Sequence, residues 1–507
     1  MELSELMRQV GLSENVVDGD MPKKPCVLQG LTCDSRAIQP GFLFVACAGS
    51  HAHGDMYITD AVARGALAIM LERASTMDKA QLGVVVLRVD NPRRYYALMC
   101  AAWFGYRQPS TLAAVTGTNG KTSVADFVAQ LWRHAGVQEA HWGTLDVLRQ
   151  GTHHATLTTP DAYDVHRRLA HAQEEGATHA VLEASSHGLA QHRLDGARVD
   201  IAAMTNMSRD HLDYHGDMDS YVAAKRRLFT DVLVDDKKRA VAVLNHDDDC
   251  YERMREAVVA RGLTVMTYGR HEESTIRLCD VREDEEGQAF RVRVHSQEHT
   301  VRVSLVGEFQ VMNVLCALSV VLASGIEQSR VLAGLPHLQG VVGRMQRVAR
   351  LKSGDGGVYV DYAHTPDGLA RALKALRGRK GMVFVVFGCG GERDQGKRAM
   401  MGSVAAQYAD GVVVTDDNPR GEDAEIIRKQ IVEGIKGDVQ LVSYGDRGQA
   451  IRYAMNQLAR VGSGSVLVAG KGHERGQIVG TQVVPFDDTE VVREVCRTDA
   501  QHWEVVS

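Results

Sequence analysis

Residues 111–134 read TLAAVTGTNGKTSVADFVAQLWRH: an apolar run, a glycine-bounded polar turn and an amphipathic stretch in direct succession. Thr111–Thr116 predicts a buried strand, and from Ser123 to His134 the residues Val124, Phe127, Val128 and Leu131 recur on one helical face. A strand that turns through glycines into a helix aims backbone N–H groups and the positive end of the helix dipole at one point. That geometry binds phosphate oxygens. The turn Gly117-Thr118-Asn119-Gly120-Lys121-Thr122 adds a lysine to reach terminal phosphates and a Thr122 hydroxyl suited to Mg2+, with Ser123 next in line. Longer versions of this turn carry a glycine where this chain has Val115, so the form here is the shorter G-x-x-G-K-T. An ordinary strand-to-helix turn with a surface lysine is the competing reading, and the periodicity on both flanks argues against it.

Working outward, 507 residues suffice for about three domains. Short strands at Gly41–Ala46 and Val84–Val89, with helices at Tyr57–Arg64 and Arg94–Phe104, predict a first domain over 1–110. Apolar runs at His179–Leu182, Asp200–Thr205 and Ala240–Leu244 alternate with amphipathic helices and predict a central parallel-sheet domain of P-loop ATPase type over 111–337. The pattern repeats at Gly357–Val360, Met382–Phe387, Gly411–Thr415 and Ser465–Ala469, which predicts a Rossmann-like third domain over 338–507. The fold class is therefore α/β with three domains. The acidic run Glu283–Gly287, between alternating segments, predicts a hairpin turn.

A net charge of −6 argues against a chain built to grip nucleic acid. No run approaches the ~18 apolar residues of a membrane span, and the first residues lack a basic-then-apolar signal, so neither membrane insertion nor export is expected. The 9 scattered cysteines read as reduced thiols of a cytoplasmic protein.

Ligands of open parallel sheets bind beyond the carboxyl ends of the strands. The predicted strands here end in the chain's most polar segments: Glu183–Gly188, Asn206–His211, Asp361–His364, Gly388–Arg393, Asp416–Arg420 and Gly470–Glu474. Together they predict one large cleft between two Rossmann-like domains. Glu183, at a strand tip beside the phosphate turn, offers an oxygen ligand for a hard cation. His211 follows the next strand, where a lone histidine reads equally as a hydrogen-bonded structural group. Lys225 lies in the amphipathic stretch Tyr221–Phe229 and reads by itself as an exposed lysine; Arg344, after Gly343, reads as a nucleotide contact or a surface group.

The phosphate turn, Leu182–Leu189 (LEASSHGL), Ser208–Gly216 (SRDHLDYHG) and Asp361–Pro366 (DYAHTP) resemble the Mur ligases, the ATP-dependent amino-acid ligases of bacterial peptidoglycan synthesis. The likeness extends, in order, over almost the whole chain, and Thr32–Arg36 (TCDSR), Gly41–Val45 and Gly49–Gly54 resemble the uridine-nucleotide domain of the family's third ligase. It implies cytoplasmic addition of meso-2,6-diaminopimelate to UDP-MurNAc-L-Ala-D-Glu through an acyl phosphate, with ATP as co-substrate, Mg2+ as cofactor and a monomeric enzyme. By this resemblance Lys225 becomes carbamylated and joins Thr122, Glu183 and His211 as a metal ligand. Asn313, Arg344 and His364 contact ATP. Thr158, Thr159, Ser185, Gln191 and Arg193 hold the muramyl dipeptide, and Ser35, His51 and Ala52 lie near its uridine end. Leu157 and Gln310 depart from a polar residue and an asparagine common at those places.

The family likeness assigns Asp417-Asn418-Pro419-Arg420 to enzymes that take diaminopimelate rather than lysine, with Gly470 in the same binding set. The chemistry agrees. Diaminopimelate ends in a carboxylate and an ammonium, and an arginine fork takes a carboxylate through two charge-assisted hydrogen bonds. Arg420 and Arg393 can supply that fork, and Glu474 can accept from the ammonium. Read alone, Asp-Asn-Pro-Arg is a turn after a strand. Two other readings stay open here: a folylpolyglutamate synthase-like ligase sharing the ATP core, and an ATP-binding regulatory protein without turnover.

Overall fold

Three sheets follow one another along the chain in the computed structural model, which describes residues 1–18, 25–49, 53–78, 82–144, 157–236, 239–284, 287–352 and 354–506. The first is wholly parallel: β1 (Gly30–Thr32), β2 (Phe42–Val45), β3 (Ala68–Glu72) and β4 (Val85–Val89), in that spatial order.

The second contains β5 (Thr111–Thr116), β6 (Glu139–Trp142), β7 (His179–Glu183), β8 (Ile201–Met204), β9 (Val241–Asn245), β10 (Thr264–Gly269), β11 (Ile276–Asp284), β12 (Gly287–Val294) and β13 (Gln297–Val303). Their order is β13-β12-β11-β10-β9-β8-β5-β7-β6, parallel except for the antiparallel β11–β12–β13 end. The hairpin predicted around Glu283–Gly287 is the β11–β12 pair, with residues 285–286 of its turn outside the described ones.

The third sheet orders β18 (Gln440–Ser443), β17 (Gly411–Val414), β16 (Met382–Phe387), β19 (Gly464–Ala469), β15 (Gly356–Asp361), β14 (Gln346–Leu351) and β22 (Trp503–Val505). Only β14 runs against the rest, pairing antiparallel with both β15 and β22. A separate hairpin joins β20 (Gly476–Val479) to β21 (Gln482–Pro485).

The strand before the phosphate turn is buried on both faces, which is why it reads as a continuous apolar run rather than an alternating one. Ala113 and Val115 pack with Val124, Phe127, Val128 and Leu131 of the helix Lys121–His134 and with Val311, Val314 and Leu315 of the helix Glu308–Ala323. Leu112 and Ala114 pack on the other face with Val165 and Leu169 of the helix Ala162–Glu174. Strand β5 lies between β7 and β8, so the chain crosses from one side of it to the other after β7. Such a crossing opens a crevice at the carboxyl ends of the strands, directly above the turn.

In the third sheet a buried ion pair fixes the end of its central strand. Arg447 donates to the two carboxylate oxygens of Asp488 at 2.7 and 2.8 Å, both side chains being fully buried. Its Nη2 also donates to the carbonyl of Ala469 at 2.8 Å, the last residue of β19. The pair therefore anchors the point from which Gly470–Glu474 departs. Removing one partner leaves the other charge buried and uncompensated. Asp488→Ala is expected to cost about 3–5 kcal/mol in urea unfolding, and Arg447→Met with Asp488→Leu much less; a single variant as stable as the wild type would contradict this.

Candidate active site

Backbone geometry makes the phosphate turn. Gly117 and Gly120 have φ of 138° and 87°, and a Cβ on Gly117 would run into Thr205 and Asn206, one on Gly120 into Asn313. The loop after β8 clasps the turn: Asn206 Oδ1 accepts from the Asn119 N–H at 3.0 Å and its Nδ2 donates to the Asn119 carbonyl at 3.0 Å. Thr205 donates to the same carbonyl at 2.6 Å. Thr118 Oγ1 meets the Tyr221 hydroxyl at 3.0 Å and accepts from the Ser208 N–H at 2.9 Å. The turn is thus preorganised by its neighbours, and its Gly120 end caps the helix Lys121–His134.

Two lysines converge on one carbonyl. Lys121 Nζ donates to the carbonyls of Gly117 and Thr118, both at 2.9 Å, and Lys225 Nζ donates to that of Gly117 at 2.8 Å. Lys225 is only 1 % exposed, which corrects its reading as a surface lysine. The helix Met218–Arg227 turns Tyr221, Val222, Ala224 and Lys225 inward, and the ammonium lies 4.7 Å from the centre of the Tyr221 ring. Burial, reinforced by the charge on Lys121, pushes the Lys225 amine well below the usual lysine range. Burial also lowers Lys121, with Glu183 and Asp210 opposing and Arg344 adding to the effect.

Carboxylate and hydroxyl groups meet beside the lysines. Thr122 Oγ1 donates to Glu183 Oε2 at 3.0 Å, and Glu183, 2 % exposed, also accepts from the N–H and hydroxyl of Thr144 at 2.7 and 3.2 Å. His211, at φ 54°, sits 3.3 Å from Asp210 and edge-on to His187. Burial lowers His211 to about 3 against the pull of Asp210, which leaves its imidazole neutral and able to act as a ligand. This oxygen-rich set, Thr122, Glu183 and a nearby neutral imidazole, suits a hard divalent cation.

The third sheet closes the other wall of a cavity of ≈ 410 Å³, lined by the turn together with Arg344, Asp361, Tyr362, His364 and Arg371. Arg344 donates to Thr122 Oγ1 at 3.1 Å and lies 4.3 Å over the Tyr362 ring. His364 is 3.8 Å from Asp210, and Asn119 donates to Asp367 at 3.2 Å. Asn313 lines the same cavity, and the unexpected Gln310 is what holds it, accepting from Asn313 Nδ2 at 2.9 Å.

A polar network extends toward the first sheet. Thr159 Oγ1 meets Ser185 Oγ at 3.0 Å and donates to the Glu183 carbonyl at 2.8 Å, while Thr158 receives a 3.4 Å contact from Thr144. Arg193 donates to the Thr159 carbonyl and to Gln191, each at 2.6 Å. Asp161 reaches Cys33 at 3.6 Å and Tyr96 at 3.3 Å, tying this network to the end of β1, where Ser35 is buried. His51 and Ala52 lie outside the described residues. Leu157 is 52 % exposed.

Arg393, Asp417, Asn418, Pro419, Arg420, Gly470 and Glu474 do not line the 410 Å³ cavity; they surround a second cluster beside it. Tyr362 lines that cavity, and its ring meets that of His473 at 5.1 Å, on the segment that also carries Gly470 and Glu474. Arg420, at φ 52°, donates to the Gly391 carbonyl at 2.9 Å, and its backbone bridges to the β20–β21 hairpin. Burial lowers its guanidinium, with the charge of Arg393 adding to that. Asn418 Nδ2 donates to Glu474 at 3.0 Å. A Cβ on Gly470 would meet the carboxylate of Asp417. Arg393 is close enough to His187 to help depress it, and Arg209 bonds Asp394 at 3.3 Å, so the second cluster faces the central sheet.

Sequence reasoning did not single out Asn206, Asp210, Tyr221, Tyr362 or Lys471. All but Tyr221 stand in polar segments at strand ends, a signal that marks a segment without ranking its members.

Fold, phosphate turn and neighbouring carboxylates together define an ATP-using ligase of the Mur type, and the chain belongs to the Mur ligase family. Three family profiles match in order: "Mur ligase family, catalytic domain" over residues 27–103, "Mur ligase middle domain" over 115–321 and "Mur ligase, glutamate ligase domain" over 343–472. The chain is 44 % identical over 487 residues to the UDP-N-acetylmuramoyl-L-alanyl-D-glutamate–2,6-diaminopimelate ligase of Bradyrhizobium diazoefficiens, covering 94 % of this chain and 97 % of that one. It is 45 % identical over 466 residues to the ligase of that name from Rhizobium meliloti, covering 92 % and 93 %. A solved structure of a ligase so named superposes with a TM-score of 0.66 at 31 % identity, covering 99 % of both chains.

Burial also holds His473 far below the ordinary histidine value of 6.5, at about 3, with Arg344, His364 and Lys471 adding to the effect. Fully buried His166 is lowered to about 4. Both stay neutral in the fold while the unfolded chain binds protons below 6.5, so their contribution to stability is lost as pH falls from about 6.5 toward those values. Thermal stability is expected to drop between pH 7 and 5, less steeply in His166→Gln. An NMR titration of the His473 imidazole near pH 6.5 would contradict this assignment.

Proposed function

We propose that this protein adds meso-2,6-diaminopimelate to UDP-MurNAc-L-Ala-D-Glu at the expense of ATP, in the cytoplasm, as a step of peptidoglycan precursor synthesis. What supports this most is one juxtaposition. An anion-binding cleft formed by the glycine-bounded turn and Lys121 adjoins a cluster that pairs cations, Arg420 and Arg393, with the acceptor Glu474. The first suits a polyphosphate; the second suits the zwitterionic end of a diamino diacid. The names of the relatives above agree with it.

A carboxylate is a poor electrophile, so amide formation requires activation. The γ-phosphoryl group of ATP passes to the D-glutamate γ-carboxylate, giving an acyl phosphate and ADP. The diaminopimelate amine then attacks the acyl carbon, and the tetrahedral intermediate expels phosphate and loses a proton. The turn N–H groups and Lys121 hold the phosphates, with Arg344 from the third sheet over the same cleft. Asn313 and His364 contact the nucleotide. Thr122, Glu183, His211 and carbamylated Lys225 would hold Mg2+, which would supply positive charge against the phosphoryl oxygens.

The low basicity of Lys225 gives carbamylation a physical cause: its neutral amine adds to CO2, forming an N–C bond and releasing a proton. The product is a carboxylate-like oxygen ligand in place of a cation.

Thr158, Thr159, Ser185, Gln191 and Arg193 hold the muramyl dipeptide, with Ser35, His51 and Ala52 toward its uridine end. Asp417, Asn418, Pro419 and Gly470 shape the diaminopimelate site. Units 1–110, 111–337 and 338–507 serve the three substrates, and one copy of the chain carries every group the mechanism uses.

Phosphate release measured with the muramyl dipeptide, ATP and either meso-diaminopimelate or L-lysine tests the assignment. Strong preference for diaminopimelate is expected. Arg420→Ala should erase roughly tenfold to a hundredfold of it, the worth of a charged hydrogen bond. Equal rates with both amino acids in the wild type would overturn the assignment.

A further inference from the structure

Lys471 is fully buried at the start of the segment that follows β19. Burying an ammonium is costly unless its hydrogens are matched. Here Nζ donates to Asn418 Oδ1 and to Glu474 Oε2, both at 3.1 Å. Asn418 Nδ2 donates to that same Glu474 oxygen at 3.0 Å, so three side chains close a ring. Asn418 Oδ1 also accepts from the Ile478 N–H at 2.9 Å, which ties the ring to the β20–β21 hairpin.

This pattern leaves the Asn418 amide one orientation. With two donors on Oδ1, Nδ2 must face Glu474; the flipped amide would set two acceptors against each other and aim NH2 at an ammonium and an N–H. Glu474 is oriented in turn. Its Oε2 is committed inward to Lys471 and Asn418, while the side chain is 33 % exposed and presents its remaining acceptor edge outward. Arg420 contacts the carbonyl of Asn418 at 3.4 Å, so the cationic and anionic halves of the cluster share one support.

We infer that Lys471 is a positioning residue for the incoming diamino acid: it sets the Asn418 amide and the Glu474 carboxylate so that Glu474 receives the substrate ammonium while Arg420 and Arg393 take its carboxylate. The inference rests on the function proposed above and adds a determinant that never touches substrate. Lysine at this position serves by neutralising the inward oxygen of Glu474 without blocking the outward one. An uncharged residue of the same length would leave Glu474 uncompensated and the amide free to turn.

The test is steady-state kinetics of the full chain carrying Lys471→Met, with KM measured separately for diaminopimelate, ATP and the muramyl dipeptide. A rise of roughly tenfold or more is expected in the diaminopimelate KM alone, with the other two constants and ADP affinity unchanged. Adding Glu474→Gln to Lys471→Met should cost clearly less than the two single losses combined, because Lys471 acts in large part through that carboxylate. Lys471→Gln keeps donors for both partners. It should recover part of the diaminopimelate KM, and it is the variant to measure if the methionine variant does not fold. An unchanged diaminopimelate KM, three KM values rising together, or additive effects would overturn the inference. A wild type that does not use diaminopimelate would instead overturn the function on which it rests.

Discussion

Two lysine side chains, from positions 121 and 225, share the carbonyl of Gly117 inside a desolvated pocket, and the rest of the site is organised around that crowding. Like charges held this close in a medium that solvates them poorly favour loss of a proton from one, or arrival of an anion. Asp210 opposes the loss in both, but Lys121 is also compensated by Glu183, so Lys225, the more deeply affected, gives way toward a neutral amine. A polyphosphate relieves what remains. The pocket is thus built for a negatively charged guest before the guest arrives, the kind of preorganisation that makes electrostatic catalysis effective.

The same constraint explains why the pocket spans two sheets. Anion-binding N–H groups come from the turn after β5, the clasp on them from the loop after β8, and Arg344 from the approach to the third sheet. No single unit of the chain holds the full set. Movement of the third sheet relative to the second would therefore assemble or disperse the cationic wall, which suits an acyl phosphate that must be shielded from water until the amine arrives.

Much of this was legible in the residues. The strand-turn-helix at 111–134 needs only apolar runs and glycines at fixed places, and the strand from Met382 to Phe387 lies where its run predicts it. Strands β3 and β6 escaped notice for local reasons: β3 is Ala-Ile-Met-Leu-Glu within a helix-like stretch, and β6 is four half-buried residues, Glu-Ala-His-Trp, without an apolar run. Glu183 could be read beside Thr122 because its strand ends next to the parallel strand that leads into the turn and helix carrying Thr122. Lys225 could not, since its burial depends on how a helix 108 residues beyond Gly117 docks onto the turn. Only the family resemblance singled it out. The approach of the Tyr362 and His473 rings was equally hidden, because it depends on how the segments after β15 and β19 pack together.

A crystal structure with Mg2+ and a non-hydrolysable ATP analogue tests the electrostatic account most directly. The account requires the phosphates at the N–H groups of residues 117–122, with Lys121 moved off the carbonyls of Gly117 and Thr118 onto phosphate oxygens. It also requires the cation bound by Thr122 and Glu183. An analogue bound elsewhere, or one bound above a turn whose Lys121 still holds those two carbonyls, would contradict it.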